Sequence, residues 1–349
     1  MKIAQVAPLY ESVPPKYYGG TERIISYLTE ELVRQGHEVT LFAAGDSRTH
    51  ARLRPVGANA LRLDSRCIDP LPHHMVLLDR VARVADAFDV IHFHTDYLHF
   101  PLARRLDVPH VTTLHGRLDL PDLAPLYREF NEIPLISISN DQRKPLAFAN
   151  WVATVHHGLP EDLYPFRPEP GEYLAFIGRI SPEKRVDRAI EIARRTGMEL
   201  RIAAKVDKVD RAYFEDRIKP LLRTPGVCYI GEIGEPEKAD FLGGAYALLF
   251  PVDWPEPFGL AMIEAMACGT PVIAWPCGSV PEVLRHWETG FLVDSIETAV
   301  AALERVPTIS RVRCRRVFER RFSARRMARD YVAAYRAVCA ASPVRQSVA

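Results

Sequence analysis

Two carboxylates stand eight positions apart in the stretch WPEPFGLAMIEAMACG, residues 254–269. Apolar residues at helical spacing predict a helix over Gly259 to Cys268, which ends at Gly269, a residue suited to the left-handed conformation. Glu264 is the only charge in that helix, and its neighbours three or four positions away are small. A side chain pointing into water is one reading. The small neighbours favour the other, in which Glu264 accepts hydrogen bonds from ligand hydroxyls, with Glu256 just before the helix.

Two cations stand at and just beyond the end of a predicted strand. Arg179 closes the apolar run YLAFIGR, and Lys184 follows in ISPEKRVD. Cations at the carboxyl end of a strand suit a diphosphate, although ordinary surface charge has the same appearance in a sequence. The predicted helix at Gly259 adds free backbone N–H groups and a positive dipole end, which together bind anions. We therefore expect a phosphate-bearing ligand.

Gly19 and Gly20 precede a predicted helix, TERIISYLTEELVRQG, which Thr21 can cap and Gly36 can end. Two glycines there let the backbone approach a phosphate or a sugar closely, but loops contain glycine for other reasons too. No G-x-G-x-x-G follows the first strand, so the sequence does not indicate a dinucleotide-dependent dehydrogenase.

His115 directly follows a predicted strand of the buried type. Its side chain is either a ligand contact or a structural hydrogen-bonding group. His92 and His94 alternate along another strand end, and three histidines raise the question of a metal. The chain has no D-x-D pair, which often holds a divalent ion beside a nucleotide diphosphate. We therefore expect no metal site and no cofactor, with the charge neutralised by Arg179, Lys184 and the helix end.

Strand-like runs alternate with amphipathic helices through both halves of the chain. This alternation predicts an α/β fold with two doubly wound Rossmann-like domains facing across a cleft, and ligands at the carboxyl ends of the strands. The proline-rich residues 159–172 read as a linker. We predict a first domain over 1–157, a second over 158–322, and a C-terminal helix at about 323–340 that packs back on the first domain.

The composition excludes several classes of protein. The 349 residues are 26% charged and 48% hydrophobic with a net charge of +1, so the chain can bury a core and gives no signal for nucleic acid. Six cysteines without C-x-x-C spacing, and no evident signal peptide, favour a cytoplasmic protein with reduced thiols. No apolar run reaches a membrane span. Nine arginines in residues 311–329 indicate either a solvated helix face or peripheral contact with an anionic surface such as lipid head groups.

The motifs resemble those of the retaining glycosyltransferases of family four, which have the GT-B fold. Several stretches are typical of the family: EPFGLAMIE, EAMACGTPVIA, GSVPEV with the later TGFLV and Asp294, and GRISPEK. GGTERIISYLTEELVRQGHEVTLFA resembles its opening, DVIHFH and TLHG its middle, and FSARRMARDYVAAY its last helix. The resemblance spans nearly the whole chain.

The resemblance implies transfer of a hexose from a nucleotide diphosphate sugar, UDP by family frequency, to an acceptor hydroxyl with retention of configuration. It implies that Glu264 binds the ribose hydroxyls of the donor and that Glu256 binds the donor sugar. Arg179 and Lys184 would bind the diphosphate. His115 would lie near the transferred sugar. The remaining donor contacts that it implies are the backbone amides of Phe258, Gly259 and Leu260, and the glycines Gly19 and Gly20.

Two positions depart from the family pattern. His157-Gly158 stands where many members have Asn-Gly, so no role carries over to His157. Ala203-Ala204-Lys205 replaces the usual glycine pair, and Lys205 is either an extra phosphate or base contact or a surface lysine. The alternatives to a transferase are a nucleotide-sugar epimerase of the same fold and a non-catalytic nucleotide-sugar-binding module.

Overall fold

A computed structural model describes residues 1–17 and 19–341 and divides the chain into two compact units. The first unit is Met1–Gly158 together with the C-terminal segment that begins at Ala324. The second unit is Leu159–Ser323. Each unit has its own parallel sheet, so the chain leaves the first unit, completes the second and then returns to the first.

The first unit is built on seven parallel strands in the order β3-β2-β1-β4-β5-β6-β7. Its strands are β1 (Lys2–Val6), β2 (Glu38–Ala43), β3 (Arg52–Pro55), β4 (Val90–Phe93), β5 (His110–Thr113), β6 (Leu135–Ser137) and β7 (Trp151–Thr154). The helices between them are α1 (Gly20–Arg34), α2 (Leu71–Ala82), α3 (Phe100–Ala103) and α4 (Leu123–Glu129). Strand order reverses between β1 and β4, and such a switch point is where doubly wound sheets bind ligands.

The second unit repeats this plan with six parallel strands in the order β10-β9-β8-β11-β12-β13. They are β8 (Tyr173–Arg179), β9 (Leu200–Lys205), β10 (Val227–Gly231), β11 (Ala245–Phe250), β12 (Val272–Ala274) and β13 (Gly290–Leu292). The helices of this unit are α5 (Val186–Thr196), α6 (Arg211–Tyr213), α7 (Glu235–Gly243), α8 (Leu260–Cys268), α9 (Val280–Val283), α10 (Ile296–Arg305) and α11 (Arg311–Arg321). Here the strand order reverses between β8 and β11. The two sheets confirm the predicted pair of doubly wound Rossmann-like domains.

The last helix, α12 (Ala324–Ala341), belongs to the first unit and packs against α1, β5 and β7. Its buried face includes Met327, Tyr331 and Tyr335. Among the described residues, no helix combines the length and apolar character that crossing a bilayer requires.

The ends of α1 agree only in part with the helix boundaries predicted from the sequence. Thr21 does not cap α1, because the helix starts one residue earlier at Gly20, with Gly19 as its N-cap and no side chain accepting from the first turn. Gly36 follows the helix with φ 84°, as a terminating glycine does. Residues 159–172 contain neither a helix nor a strand, apart from an isolated bridge from Leu159 to Ser323.

Candidate functional site

The loops that follow β8 and β11 lie at neighbouring strand ends, because these two strands are adjacent in the second sheet. The loop after β8 carries Lys184, and the loop after β11 carries Glu256. Their side chains form an ion pair although they are 72 residues apart in sequence. The switch point of the sheet is therefore what brings these two predicted site residues together.

Aromatic rings complete the surroundings of the Lys184–Glu256 pair. The Lys184 ammonium lies 5.2 Å from the ring centre of Trp254 and 5.9 Å from that of Phe250, within the range of cation–π attraction. Trp254 also donates from Nε1 to Oε2 of Glu256 at 2.8 Å. The carboxylate and the two rings hold Lys184 in one place, so it is not an ordinary surface lysine.

Arg179 stands at the end of β8, surrounded by acidic side chains. Its guanidinium contacts Glu183 and lies 3.6 Å from the Asp207 carboxylate and 3.4 Å from that of Asp210. Lys205 occupies the register position beside Arg179 on β9 and pairs with Asp207 at 2.9 Å. The Lys205 side chain is only 11% exposed, so most of it is removed from solvent, and its contact with a phosphate or base stays a prediction. An anion bound here would compete with these carboxylates for both cations.

A second loop supports Glu256 from behind. Ser279 donates its backbone N–H to the Glu256 carbonyl and its hydroxyl to the Phe258 carbonyl, both at 2.9 Å. Gly278 has φ 62°, and a Cβ there would lie 2.3 Å from the Glu256 nitrogen. The GSVPEV motif thus fixes the backbone of the Glu256 loop. Its backbone can approach that loop so closely only because residue 278 is a glycine.

Helix α8 begins directly after this loop. Its N-cap is Gly259, in the left-handed region at φ 83°, where a Cβ would lie 2.7 Å from Met262 and 3.0 Å from Phe250. No side chain caps the helix, and its first turn holds no acidic residue. The first-turn N–H groups of a helix have no partner within the helix, and the dipole is positive there. This end of α8 is therefore suited to an anion.

The opposite end of α8 is compensated within the protein. Arg315 donates from Nη1 to the Ala267 carbonyl at 2.8 Å, and Gly269 ends the helix with φ 87°. A cation at the C-terminus offsets the negative end of the dipole. Because only the C-terminal end of α8 is compensated by a protein side chain, the start of the helix is the end that favours a negatively charged ligand.

Glu264 lies in the middle of α8 and is 3% exposed, so it does not form part of a solvated face. Its Oε1 accepts from Nζ of Lys238 at 2.9 Å, and Lys238 also lies 3.7 Å from Glu235 on the same helix, α7. A buried carboxylate requires such a partner, because an isolated charge is costly to desolvate. The sequence interpretation did not include Lys238.

His115 follows β5 in the first unit. Its Nε2 lies 2.9 Å from Nδ1 of His94, and its ring stacks on His157 at a centroid distance of 5.4 Å. Burial lowers the pKa of His115 to about 3, so the ring is neutral. Its Nδ1 is buried and has no hydrogen-bond partner. The side chain is thus fixed by one nitrogen and offers the other.

The two glycines predicted to approach a ligand also belong to the first unit. Gly20 is the first residue of α1, and Gly19 is its N-cap in extended backbone. A Cβ at Gly19 would lie 2.8 Å from Pro15 and 3.2 Å from Glu11. The close packing of the loop after β1 therefore accounts for glycine at position 19 without any ligand.

The arginine-rich residues 311–329 are not a continuous basic face. Four of the nine arginines donate to backbone carbonyls of other segments, which neither sequence reading anticipated, and they are Arg311, Arg315, Arg321 and Arg326. Guanidinium groups suit this task because they present several donors in a fixed plane. Peripheral contact with an anionic surface stays a prediction that would depend on the other, exposed arginines: Arg313, Arg316, Arg320, Arg325 and Arg329.

Family models cover most of the chain. The model for glycosyltransferase family 4 matches residues 18–155, and that for glycosyl transferases group 1 matches residues 165–314. The chain is a family-four glycosyltransferase of the GT-B fold. The family identified in the sequence motifs is therefore confirmed, and so is the assignment of an enzyme.

Known proteins resemble this glycosyltransferase over most of its length. Alpha-maltose-1-phosphate synthase of Mycobacterium tuberculosis is 28% identical, with 83% of this chain and 84% of that protein covered. The structure of sucrose-phosphate synthase from Thermosynechococcus elongatus has a TM-score of 0.79 at 20% identity, covering 98% of this chain and 100% of that one. HepE of Anabaena, solved with UDP and glucose, has a TM-score of 0.75 at 18% identity, covering 97% and 100%.

The predicted residues are divided between the two units, and among them the structure joins Lys184 directly with Glu256 and places Arg179 beside Lys205 on neighbouring strands. The second unit holds the larger group: Arg179, Lys184, Lys205, Glu256, Phe258, Gly259, Leu260 and Glu264. The first unit holds Gly19, Gly20 and His115. Sequence reasoning missed Lys238, Trp254 and Ser279, of which the last was visible as part of a quoted family motif. Within residues 1–17 and 19–341, no cluster of three His, Cys, Asp or Glu side chains is arranged to hold a metal ion.

Proposed function

We propose that this glycosyltransferase moves a hexose from a nucleotide diphosphate sugar to an acceptor hydroxyl with retention of anomeric configuration. The observation that carries the proposal is the gathering of Arg179, Lys184 and Lys205 at one end of the second sheet. In the same unit the start of α8 adds N–H groups without a capping side chain. A diphosphate that displaces the carboxylates paired with these cations would have its own charge neutralised by the cations.

The reaction uses these groups on the leaving nucleotide. The bond from the anomeric carbon to the phosphate oxygen breaks, and the acceptor oxygen forms its bond on the same face of the sugar. The acceptor proton passes to the leaving phosphate oxygen, so atoms and charge balance without a protein base. Arg179 and Lys184 stabilise the charge that develops on the phosphate. Glu256 is held by Lys184 and Trp254, which suits binding of a sugar hydroxyl better than nucleophilic attack.

Glu264 binds the ribose hydroxyls of the donor in this proposal. Its carboxylate has several acceptor positions, of which Lys238 occupies one on Oε1. The remaining lone pairs can accept from two neighbouring hydroxyls. Burial strengthens such charged hydrogen bonds, since water does not compete for the carboxylate. His115, Gly19 and Gly20 contribute the contacts from the first unit.

We propose uridine diphosphate as the nucleotide and a reaction without a divalent metal. UDP is bound by HepE, which shares the fold. Metal independence rests on the three cations at the ends of β8 and β9, which supply positive charge where a metal would otherwise do so. The six free thiols are consistent with a reducing compartment such as the cytoplasm, which we also propose.

A donor screen tests the proposal. The protein is incubated with UDP-, ADP- and GDP-linked hexoses and a panel of alcohol and sugar acceptors, and nucleotide release is measured. We expect release that depends on both one donor and an acceptor, with a product whose anomeric configuration matches the donor. An epimerised donor formed without an acceptor would instead establish the epimerase, and tight donor binding with no turnover on any acceptor would establish a binding module.

A further inference from the structure

A chain of hydrogen bonds joins His115 to the C-terminal helix α12. It runs from His115 Nε2 to His94 Nδ1 (2.9 Å), and from His94 Nε2 to Gln5 Oε1 (2.8 Å). Gln5 then donates from Nε2 to the Tyr335 hydroxyl at 3.1 Å. Gln5, His94 and Tyr335 are almost completely buried, with exposures of 0%, 2% and 0%. Residues from β1, from the segments that follow β4 and β5, and from α12 therefore share one buried network.

The network continues beyond Tyr335. The Tyr335 hydroxyl lies 2.7 Å from His92 Nδ1, and His92 Nε2 lies 2.7 Å from the Thr113 hydroxyl. Thr113 in turn donates to the Tyr331 hydroxyl at 3.1 Å. Each group has one donor facing one acceptor, so the direction of one hydrogen bond sets the direction of the next.

The direction follows from the Gln5 amide, whose oxygen faces His94. An oxygen can only accept, so His94 Nε2 carries the proton and its Nδ1 is bare. His115 must then donate from Nε2 to His94, which leaves Nδ1 of His115 with a free lone pair. The reverse direction would place an N–H on that buried nitrogen, where no acceptor lies. Burying an N–H group without a partner is costly, so the first direction is favoured.

We propose that Tyr335 and Gln5 are positioning residues that keep the proton of His115 on Nε2, so that Nδ1 accepts a hydroxyl of the ligand. The proposal rests on the proposed role of His115 at the transferred sugar. Tyr335 accepts from the Gln5 amide and donates to His92, so in this direction the Gln5 N–H that faces Tyr335 is paired and no N–H of His115 is left without an acceptor. Without that hydroxyl the Gln5 amide buries an unpaired N–H in its present orientation, and turning the amide over moves the unpaired N–H to Nδ1 of His115. Each direction then buries one unpaired N–H, so neither nitrogen of His115 is preferred for the proton.

The placement of two tyrosines on α12 supports this role. Tyr331 and Tyr335 are four residues apart on one face and fully buried, where phenylalanine or leucine would fill the space without a polar group to satisfy. Buried polar groups are costly unless every member of the network is paired. Two tyrosine hydroxyls in this position thus orient the buried polar groups of the sheet, which apolar side chains could not do.

The test is the tautomer of His115 in the whole protein without any ligand, read by nitrogen-15 NMR with the resonance assigned through its loss in His115→Asn. We expect the wild-type ring to carry its proton on Nε2. Tyr335→Phe should shift His115 towards a mixture of tautomers, whereas Tyr127→Phe, which changes a buried tyrosine of the same unit outside the network, should not. Because no donor is present, this result does not depend on the proposed reaction.

A kinetic measurement then connects the tautomer to the ligand. Tyr335→Phe should raise the KM for the donor sugar by about 3- to 10-fold, the effect of one lost hydrogen bond, and leave the affinity for free nucleotide diphosphate unchanged. If Tyr335→Phe does not fold, Gln5→Met removes the amide instead, and the same shift in tautomer is expected. A wild-type His115 protonated on Nδ1, or a tautomer that neither substitution alters, would overturn the proposal.

Discussion

Lys184 and Glu256 form a partly buried ion pair at the switch point of the second sheet, with Trp254 hydrogen-bonded to the carboxylate. The side chains are 19% and 11% exposed, so the attraction between them is only partly screened by water. In the proposed reaction both groups act on one ligand, Lys184 on the phosphate and Glu256 on the sugar. The ion pair therefore holds both side chains in position before the donor binds, and their opposite charges offset each other.

Lys184→Ala should lower the turnover number by about 10²- to 10³-fold, comparable to the loss of one oxyanion-stabilising donor. Nucleotide release at saturating donor measures the effect. The matched control is Lys219→Ala, which removes a lysine of the same unit that pairs with Glu215 and is 59% exposed. Turnover of Lys184→Ala equal to that of the control would assign Lys184 to a structural ion pair only.

Gly278→Ala should destabilise the second unit and slow transfer, because the added Cβ would lie 2.3 Å from the Glu256 nitrogen. Gly197→Ala is the control, since Gly197 also has a positive φ, 69°, but its Cβ would meet nothing within 4 Å. The control isolates the backbone strain, about 1 kcal/mol. Urea unfolding should show a larger loss for Gly278→Ala, and equal losses would mean that the loop yields without cost.

The hydrophobic pattern of the sequence was sufficient to predict the fold. The strands β1, β4 and β6 coincide with apolar runs of the sequence, because strands of a parallel sheet are buried on both faces. The edge strand β3, RLRP, was missed because three of its four residues are arginine or proline, and a single Leu gives no period. The residues 211–222 could form one helix by their sequence pattern, but the helix there is broken, since the short α6 continues into a π-helical turn and a separate turn after Pro220.

The candidate site was predictable in its residue types but not in its pairings. Charge and position at strand ends indicated Arg179, Lys184 and Glu256. Their contacts depend on strand order, because β8 and β11 are neighbours although β9 and β10 lie between them in the sequence. Lys238 gave no signal, since it lies on a helix whose buried residues are confined to its last turn. Its importance follows only from the contact with Glu264.

Stability should fall as the pH drops from about 6.5 towards 4, because the first unit buries neutral histidines. Burial lowers the pKa of each, and they are His92, His94, His99, His115 and His157. Below the unfolded-state pKa of about 6.5, the unfolded chain binds protons that the folded chain does not. Each such histidine then lowers the free energy of unfolding by about 1.4 kcal/mol per pH unit. For His115 the loss continues down to its folded pKa of about 3.

Urea unfolding followed by circular dichroism at several pH values measures this dependence. His99→Asn provides a comparison, because it removes one of the five titrating groups, one that lies outside the network of His115 and bonds to Thr95 and Thr112. Its slope with pH should be smaller than that of the wild type. A free energy of unfolding that stays constant between about pH 7 and pH 5 would show that these rings titrate normally in the folded protein.

Removal of divalent metal should leave turnover unchanged. The reason is that Arg179, Lys184 and Lys205 supply positive charge at the end of the second sheet. Initial rates of nucleotide release are compared in excess EDTA and in added magnesium or manganese. Activity that disappears in EDTA and returns with a metal would mean that these cations do not suffice for the leaving group.

Glu264 and Glu256 should bind different parts of the donor, the nucleotide and the sugar respectively. Glu264→Gln should weaken binding of free nucleotide diphosphate by about 1.5 to 3 kcal/mol, the magnitude of a charged hydrogen bond. Glu256→Gln should leave that affinity nearly unchanged while slowing transfer or changing which sugar is accepted, because its contact is with the sugar. Isothermal titration with the nucleotide and with the intact donor measures both effects. Equal losses of nucleotide affinity in the two variants would refute the division.

Lys238 complicates the Glu264 measurement, because Glu264→Gln leaves its ammonium without the carboxylate that it contacts at 2.9 Å. Part of the lost affinity could then come from a disturbed α7 and not from the missing ribose contact. A double-mutant cycle separates the two contributions. Lys238→Met alone should weaken nucleotide binding less than Glu264→Gln, since it leaves both carboxylate oxygens to the ribose. In the double variant the affinity should remain as low as in Glu264→Gln. If Lys238→Met restores the affinity of Glu264→Gln to the wild-type value, the carboxylate acts through the lysine and does not bind the ribose itself.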